Sequence, residues 1–295
     1  MQQSTRLYRP RGTVDCPISR TFYAPKRIMP DFSLIHWHPD IELLYVEEGC
    51  FHMRADQKIL RLSPGDIQLI TPGQLHGLKC VTPSGKYWSI AFSPAFISLP
   101  DTHFFQRDFA SPLQEGKLIL PSVLRPTDAL YPKFFHHLQQ ILECSETDPN
   151  YKAEVFQHTI ALCTTVFPLC KKITPAERTP DTGSITVRTC VDYMQAHYAE
   201  KITLQQIADS VFLHPNYLCT LFKEYTGQTV FHYLTHLRIQ KAAVMLRTQP
   251  ISVSQVAEQC GFNSPSLFAQ KFKEIKGLTP KAYSKSHHTN NKTAS

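Results

Sequence analysis

The nine cysteines of this 295-residue chain include no CxxC pair; they stand singly at positions 16, 50, 80, 144, 163, 170, 190, 219 and 260. An odd, unpatterned set of this kind excludes a disulfide scaffold and reads as reduced thiols. Cys163 and Cys260 fall in apolar runs and are expected in a core. No cysteine has an obvious activating neighbour, which argues against redox sensing. A long hydrophobic run is also missing. The most apolar stretch, TIALCTTVFPLC (Thr159–Cys170), is too short and too mixed to span a bilayer. The first residues, MQQSTRLYRPRG, are polar and basic and hold no apolar core of the kind a secretory signal needs. A soluble, cytoplasmic protein with no membrane partner is therefore expected. With 42% hydrophobic and 19% charged residues the chain is not of disordered composition, and its length allows two ordinary domains.

What is present is an uneven charge. Residues 1–170 hold 16 Lys and Arg against 16 Asp and Glu, whereas residues 184–295 hold 12 against 6. Nearly all of the net +7 thus sits on the last third, which suggests a polyanionic partner there.

The stretch KKITPAERTPDTGS (Lys171–Ser184) is rich in Pro, Thr and charge and reads as a linker. Before it, Leu130, Phe134, Leu138 and Ile141 recur at helical spacing, as do Val155, Thr159, Leu162 and Val166. The turn SETDPN (Ser145–Asn150) separates the two stripes, so an antiparallel helix pair is expected, covering the preceding domain or pairing with a second subunit. Further upstream, the short apolar runs IELLYV, DIQLI and YWSIAF alternate with Gly and Pro turns, the pattern of a β-sandwich or barrel. The expected order is an N-terminal arm over 1–20, an all-β domain over 21–125, the helix pair over 126–170, a linker over 171–183, an all-α domain over 184–286 and a disordered tail over 287–295.

The all-α domain contains an internal repeat. ITLQQIADSVFLHPNYLCTLFKEYTGQT (Ile202–Thr229) matches ISVSQVAEQCGFNSPSLFAQKFKEIKGLT (Ile251–Thr279) at an offset of 49 residues, rising to 50 from Pro215 and Pro265 onward. Thr203 with Gln206 and Ser252 with Gln255 form capping boxes, which start a helix in each copy. His214-Pro215 and Ser264-Pro265 place a cap before a proline at the first helical position. Gly227 and Gly277 supply the left-handed residue that ends each second helix. A short helix, a tight turn and a capped second helix make a helix-turn-helix, and two stand in tandem. FHYLTHLRIQKAAVMLR (Phe231–Arg247) reads as one helix between them. It would hold the two second helices about 34 Å apart, as successive major grooves on one face of DNA require.

From about Ser184 to Ser284 the chain resembles the DNA-binding domain of the AraC/XylS family of bacterial regulators. IADSVFLHPNYLCTLFK, RIQKAAVML and VAEQCGFNSPSLFAQKFKEIKGLTPKAYSK carry the likeness. The resemblance implies that the exposed face of each second helix enters the major groove. The base-reading positions are then Asn216, Cys219 and Thr220 in the first unit and Ser266, Ala269 and Gln270 in the second. Asn216 and Gln270 suit adenine edges, and Ala269 or Thr220 suits a thymine methyl. Family members often carry Arg at such positions, and this chain has none, which points to a less guanine-dependent site. Lys223, Lys271 and Lys273 are expected at phosphates, and Arg238 in a structural ion pair. Tyr217, Leu218, Phe222, Leu267, Phe268 and Phe272 are expected in the core.

HWHPDIELLYVEEG (His36–Gly49) resembles the first motif of cupin barrels, and GDIQLITPGQLH (Gly65–His76) the second, with its proline displaced by one, at Pro72. In metal-binding cupins the positions of His36, His38, Glu42 and His76 ligate a divalent metal, and such a donor set suits Zn, Fe, Mn or Ni. Two readings stand: a metal site, sensory or catalytic, or the lining of a ligand pocket made by His36, Trp37, His38, Glu42 and His76. The basic arm RLYRPRG (Arg6–Gly12) could close over a ligand there. The expected fold is thus multi-domain α and β, a cupin-like barrel with a helix pair followed by an all-α domain with two helix-turn-helix units joined by a long helix.

The resemblance implies a transcription regulator and activator, not an enzyme, dimeric through the helix pair and responding to a small polar effector such as a sugar. Its partners would be double-stranded DNA, the effector, a second copy and RNA polymerase. The alternative is a metal-dependent cupin enzyme, or a metal sensor, fused to a DNA-binding domain.

Overall fold

The computed structural model describes residues 12, 13, 15–29, 31–173 and 182–288. Residues 12–173 make one compact unit and residues 182–288 a second. Most of the basic arm, the stretch 174–181 and the tail from 289 lie outside the described residues.

In the first unit, each apolar run becomes a strand. IELLYV begins β2 (Ile41–Glu48), DIQLI contains β5 (Ile67–Ile70) and YWSIAF lies in β7 (Lys86–Phe92). With β1 (Ile18–Tyr23) and β9 (Val123–Leu124) they form an antiparallel sheet in the order β1-β7-β2-β5-β9. A second sheet has the order β4-β3-β6, from β3 (Phe51–Ala55), β4 (Lys58–Leu62) and β6 (His76–Cys80). Alternation along β2 sends Leu44 and Val46 to one side, where they meet Phe51, Met53, Leu62, Leu78 and Cys80 of the second sheet. Ile41 and Leu43 point to the other side.

That other side is covered by the helix pair, α2 (Tyr131–Glu143) and α3 (Tyr151–Val166); the short α1 (Ser111–Gln114) precedes them. Phe134, Leu138 and Ile141 of α2 and Val155, Leu162 and Val166 of α3 share one core with Ile41, Leu43, Leu69, Ile90 and Phe92. The apolar stripes of both helices are therefore spent on the sheet, the first of the two outcomes their pattern allowed. A contact between two copies through this pair would have to use its outer faces.

Two boundaries shift. The arm expected over 1–20 ends earlier, because Ile18–Arg20 already pair with Ile90–Phe92 of β7. The linker expected over 171–183 is narrower. Its Lys171–Lys172 pair as β10 with β8 (Leu118–Ile119), and α4 (Thr182–His197) begins at its far end.

The second unit continues with α5 (Leu204–Asp209), α6 (Pro215–Thr226), α7 (Val230–Thr248), α8 (Val253–Gln259), α9 (Pro265–Lys276) and α10 (Pro280–His288). Both capping boxes form, on Thr203/Gln206 and Ser252/Gln255. His214 and Ser264 accept from the backbone N–H groups of Asn216 and Leu267, and Gly227 and Gly277 end their helices at φ 72° and 79°. The connecting helix is continuous over 19 residues, about 28 Å at 1.5 Å per residue. Its first half buries Tyr233 against Phe222 of the first helix-turn-helix. The second half buries Ile239, Ala242, Ala243 and Leu246 with Val256, Phe268 and Phe272 of the second. One rod thus serves as core for both units, so neither can turn without repacking it.

Candidate nucleic-acid interface and metal centre

The repeat dictates what each second helix shows to solvent. In α6, Leu218, Leu221, Phe222, Tyr225 and Thr226 are buried, and in α9, Phe268 and Phe272. Helical periodicity then turns Asn216, Thr220 and Lys223 outward in one row, and Ser266, Gln270 and Lys273 in the matching row. All six are exposed. Cys219 and Ala269 are half-buried at one flank of these rows. Lys271 is half-buried and its ammonium lies 2.8 Å from Glu274, so its charge is already engaged. Four of the six residues expected in the core are buried. Tyr217 and Leu267 are not: they are 58% and 48% exposed. Apolar type suggested core, but helical phase places them beside the outward rows.

Arg238 was expected in an ion pair, and its partners are instead main-chain carbonyls. Nε donates to Tyr198 O at 2.7 Å and Nη2 to Glu200 O at 2.8 Å, just beyond the last turn of α4. A guanidinium suits that end, where unpaired carbonyls gather partial negative charge. The turn of the second helix-turn-helix closes on the same point. Gly261 has φ 76°, and a Cβ there would stand 2.9 Å from the carbonyl oxygens of Ala199 and Tyr198. Arg238 and Gly261 also line a cleft of about 540 Å³ between the segment after α4, α7 and the second helix-turn-helix, together with Lys201 and Glu258.

In the first unit, His36 and His76 pair side by side, each backbone N–H bonding the other's carbonyl at 3.0 and 2.9 Å. His38 follows two residues on, so both rings of that segment reach the same side. Glu42 enters from β2, on the face that carries Leu44 and Val46. The nitrogens of His36, His38 and His76 and a carboxylate oxygen of Glu42 all lie within 4.8 Å of one another. His38 Nε2 is 2.8 Å from Glu42 Oε2, and His76 Nε2 is 3.2 Å from the same oxygen.

The second nitrogens decide what this cluster can hold. Nδ1 of His36 faces Leu34 O at 3.0 Å, that of His38 faces Asp40 O at 3.2 Å, and that of His76 faces Gln74 O at 2.8 Å. A carbonyl only accepts, so each Nδ1 must carry the hydrogen. The neutral rings of His38 and His76 then turn a lone pair toward Glu42, itself an acceptor, with the His36 ring nitrogen within 4.8 Å of them. The buried His76 Nε2 is left in no hydrogen bond. Four acceptors facing each other need a cation among them, either a proton or a metal ion. Burial, and then the charges of His76 and His38, push the His36 imidazole down to about 3. Burial alone would raise the Glu42 carboxyl, but His38 and His76 hold it well below its ordinary range. Backbone carbonyls that fix the tautomer are the usual second layer of a metal-ligating histidine, so the residues fit a divalent ion.

Ser89 of β7 donates to Glu42 Oε1 at 2.5 Å and holds the carboxylate in place. No motif announces Ser89, because it reaches the cluster from a distant strand. Trp37, expected in the pocket, is half-buried and contributes none of the converging atoms.

Residues 207–286 match the helix-turn-helix domain family and residues 25–86 the cupin domain family. The Bacillus subtilis protein named uncharacterized HTH-type transcriptional regulator YdeC is 24% identical over 291 residues, 92% of this chain and 93% of its own length. The Escherichia coli protein named uncharacterized HTH-type transcriptional regulator YpdC is 25% identical over 240 residues, 81% of this chain and 80% of its own. A variant of apo ToxT from Vibrio cholerae shares the fold at TM-score 0.52 and 13% identity, over 94% of this chain and 98% of that one. No helix among the described residues is long and apolar enough to cross a membrane.

Proposed function

We propose that this chain, a member of the AraC/XylS family in which a cupin domain precedes two helix-turn-helix units, is a cytoplasmic, sequence-specific DNA-binding regulator of transcription and not an enzyme. The observation that carries this reading is the duplicated recognition helix, capped at both ends in each copy and built on one shared rod. Asn216, Thr220, Ser266 and Gln270 read base edges, Cys219 and Ala269 flank them, and Lys223, Lys273 and Lys271 meet phosphates, the last once it is released from Glu274. The excess of positive charge on the same domain supplies sequence-independent attraction.

The cupin domain is the sensing module, and its four converging groups take a divalent transition metal. His36, His38 and His76 would supply neutral Nε2 donors and Glu42 a carboxylate, while Ser89 orients Glu42. A bound ion would supply Lewis-acid chemistry toward a small polar effector, sugars included. Outer faces of the helix pair bring two copies together, and the bound dimer activates by contact with RNA polymerase.

The test uses the full chain with duplexes from its own upstream region, over a salt series and with or without a chelator. Selective binding that falls steeply with salt supports the regulator, and a change in affinity on chelation supports the metal as part of sensing. Equal affinity for every duplex, at low salt and with the protein folded, overturns the regulator. A folded chain that takes up no divalent ion on titration overturns the metal.

A further inference from the structure

On the two recognition helices, the large apolar residues that escape the core stand at the same place in both repeats. Tyr217 and Leu267 are each the third residue of their recognition helix and are 58% and 48% exposed, while the adjacent Leu218 and Phe268 are fully buried. By helical spacing Tyr217 stands one turn before Thr220, and Leu267 one turn before Gln270. The outward polar row of each helix thus has a large apolar side chain along one edge and the half-buried Cys219 or Ala269 along the other.

A single exposed tyrosine or leucine needs no explanation. Its recurrence does, because the two base-reading positions beside it differ between the copies, Asn216 against Ser266 and Thr220 against Gln270, whereas Lys223/Lys273 and Glu224/Glu274 are kept as charged groups. What the copies keep is a bulky apolar group beside the base-reading row, with no arginine to seek guanine. In the major groove the chemical feature that such a group buries is the thymine 5-methyl. We propose that Tyr217 and Leu267 are specificity-determining residues that cover thymine methyl groups, one in each of two successive major grooves. The proposal rests on the reading of the chain as a DNA-binding regulator.

The test leaves the protein unchanged and edits the DNA. Duplexes are first selected by the full-length chain from a random-sequence pool. Each thymine of the selected site is then replaced singly by deoxyuridine, which removes only the methyl. One position in each half of the site should lose affinity by roughly threefold to fivefold, the worth of one methyl group taken out of water. In Leu267→Ser the loss should vanish in one half and persist in the other, and in Tyr217→Ser the reverse. Leu267→Met and Tyr217→Phe should keep both. Selected duplexes that bind equally with and without every methyl, or methyl losses of the same size in the serine variants, would overturn the proposal. A pool from which no duplex is enriched would instead bring down the regulator reading, and this proposal with it.

Discussion

His38 Nε2 lies 2.8 Å from Glu42 Oε2, while the other nitrogen of the same ring faces the Asp40 carbonyl at 3.2 Å. Both nitrogens of that ring can be donors only if it is charged, so without a metal the cluster must keep a proton to hold Glu42. A divalent ion replaces it, and the purified chain is expected to bind one. At free metal a hundredfold above Kd the folded chain should gain about 2.7 kcal/mol. Ser89→Ala frees one carboxylate oxygen and should weaken metal binding roughly tenfold, with Glu42→Gln weaker still. Competition against a metal-binding dye measures both, and variants as tight as wild type would remove the ion from this site.

Gly261 seats the turn of the second helix-turn-helix against the segment after α4 that Arg238 also holds. In Gly261→Ala the new methyl meets the carbonyls of Ala199 and Tyr198 at 2.9 Å each, in a backbone conformation that already disfavours a side chain. The expected cost is about 2 kcal/mol of stability, read by urea denaturation. Arg238→Gln removes two charge-assisted hydrogen bonds and should cost a similar amount. Both variants should lose more affinity for a duplex carrying both half-sites than for one carrying a single half-site. Equal losses would mean that the contact stabilises the domain without setting the spacing of the units.

Local chemistry made the second domain readable. The capping boxes, the prolines and Gly227 and Gly277 are short-range devices, and each appears where the repeat puts it. Strand-forming runs were legible for the same reason, and the four cluster residues because their two segments resemble the motifs of cupin barrels. Side-chain phase was harder. Tyr217 and Leu267 are apolar, so composition assigned them to the core, whereas their exposure depends on how α6 and α9 are rotated against α7. Ser89 and the tie from Arg238 to Tyr198 O were hidden because their partners lie 47 and 40 residues away. The helix stripes were visible, but whether they cover a sheet or a second copy depends on long-range packing that periodicity does not encode.

Phe212 occupies the turn of the first helix-turn-helix at φ 56°, where the second repeat has Gly261 at φ 76°. A bulky side chain in that region is strained, and Phe212 recovers nothing by burial, being 96% exposed. Phe212→Asn places a residue tolerant of left-handed backbone there and should stabilise the domain by about 1 kcal/mol. Thermal unfolding measures it. A fall in Tm would mean that the phenyl ring makes a contact worth more than the strain.

Cys219 offers a direct reading of whether α6 enters DNA. It is half-buried at the edge of the outward row, whereas Cys190 and Cys260 are buried in the same domain. Burial pushes the Cys190 thiol up to about 12 and the Cys260 thiol up to about 11, so both are almost entirely protonated at pH 8. Because the thiolate is the nucleophile, neither should react appreciably with iodoacetamide there. Cys219 should react, as should the half-buried Cys50 of the cupin domain, which serves as the internal reference. Saturating cognate duplex should slow Cys219 alkylation at least severalfold and leave Cys50 unchanged, as followed by peptide mass spectrometry. Unrelated duplex at higher salt should protect neither, because phosphate attraction alone is screened. Cys219 labelling at the same rate with cognate duplex bound would place the DNA on another face and remove α6 from the groove.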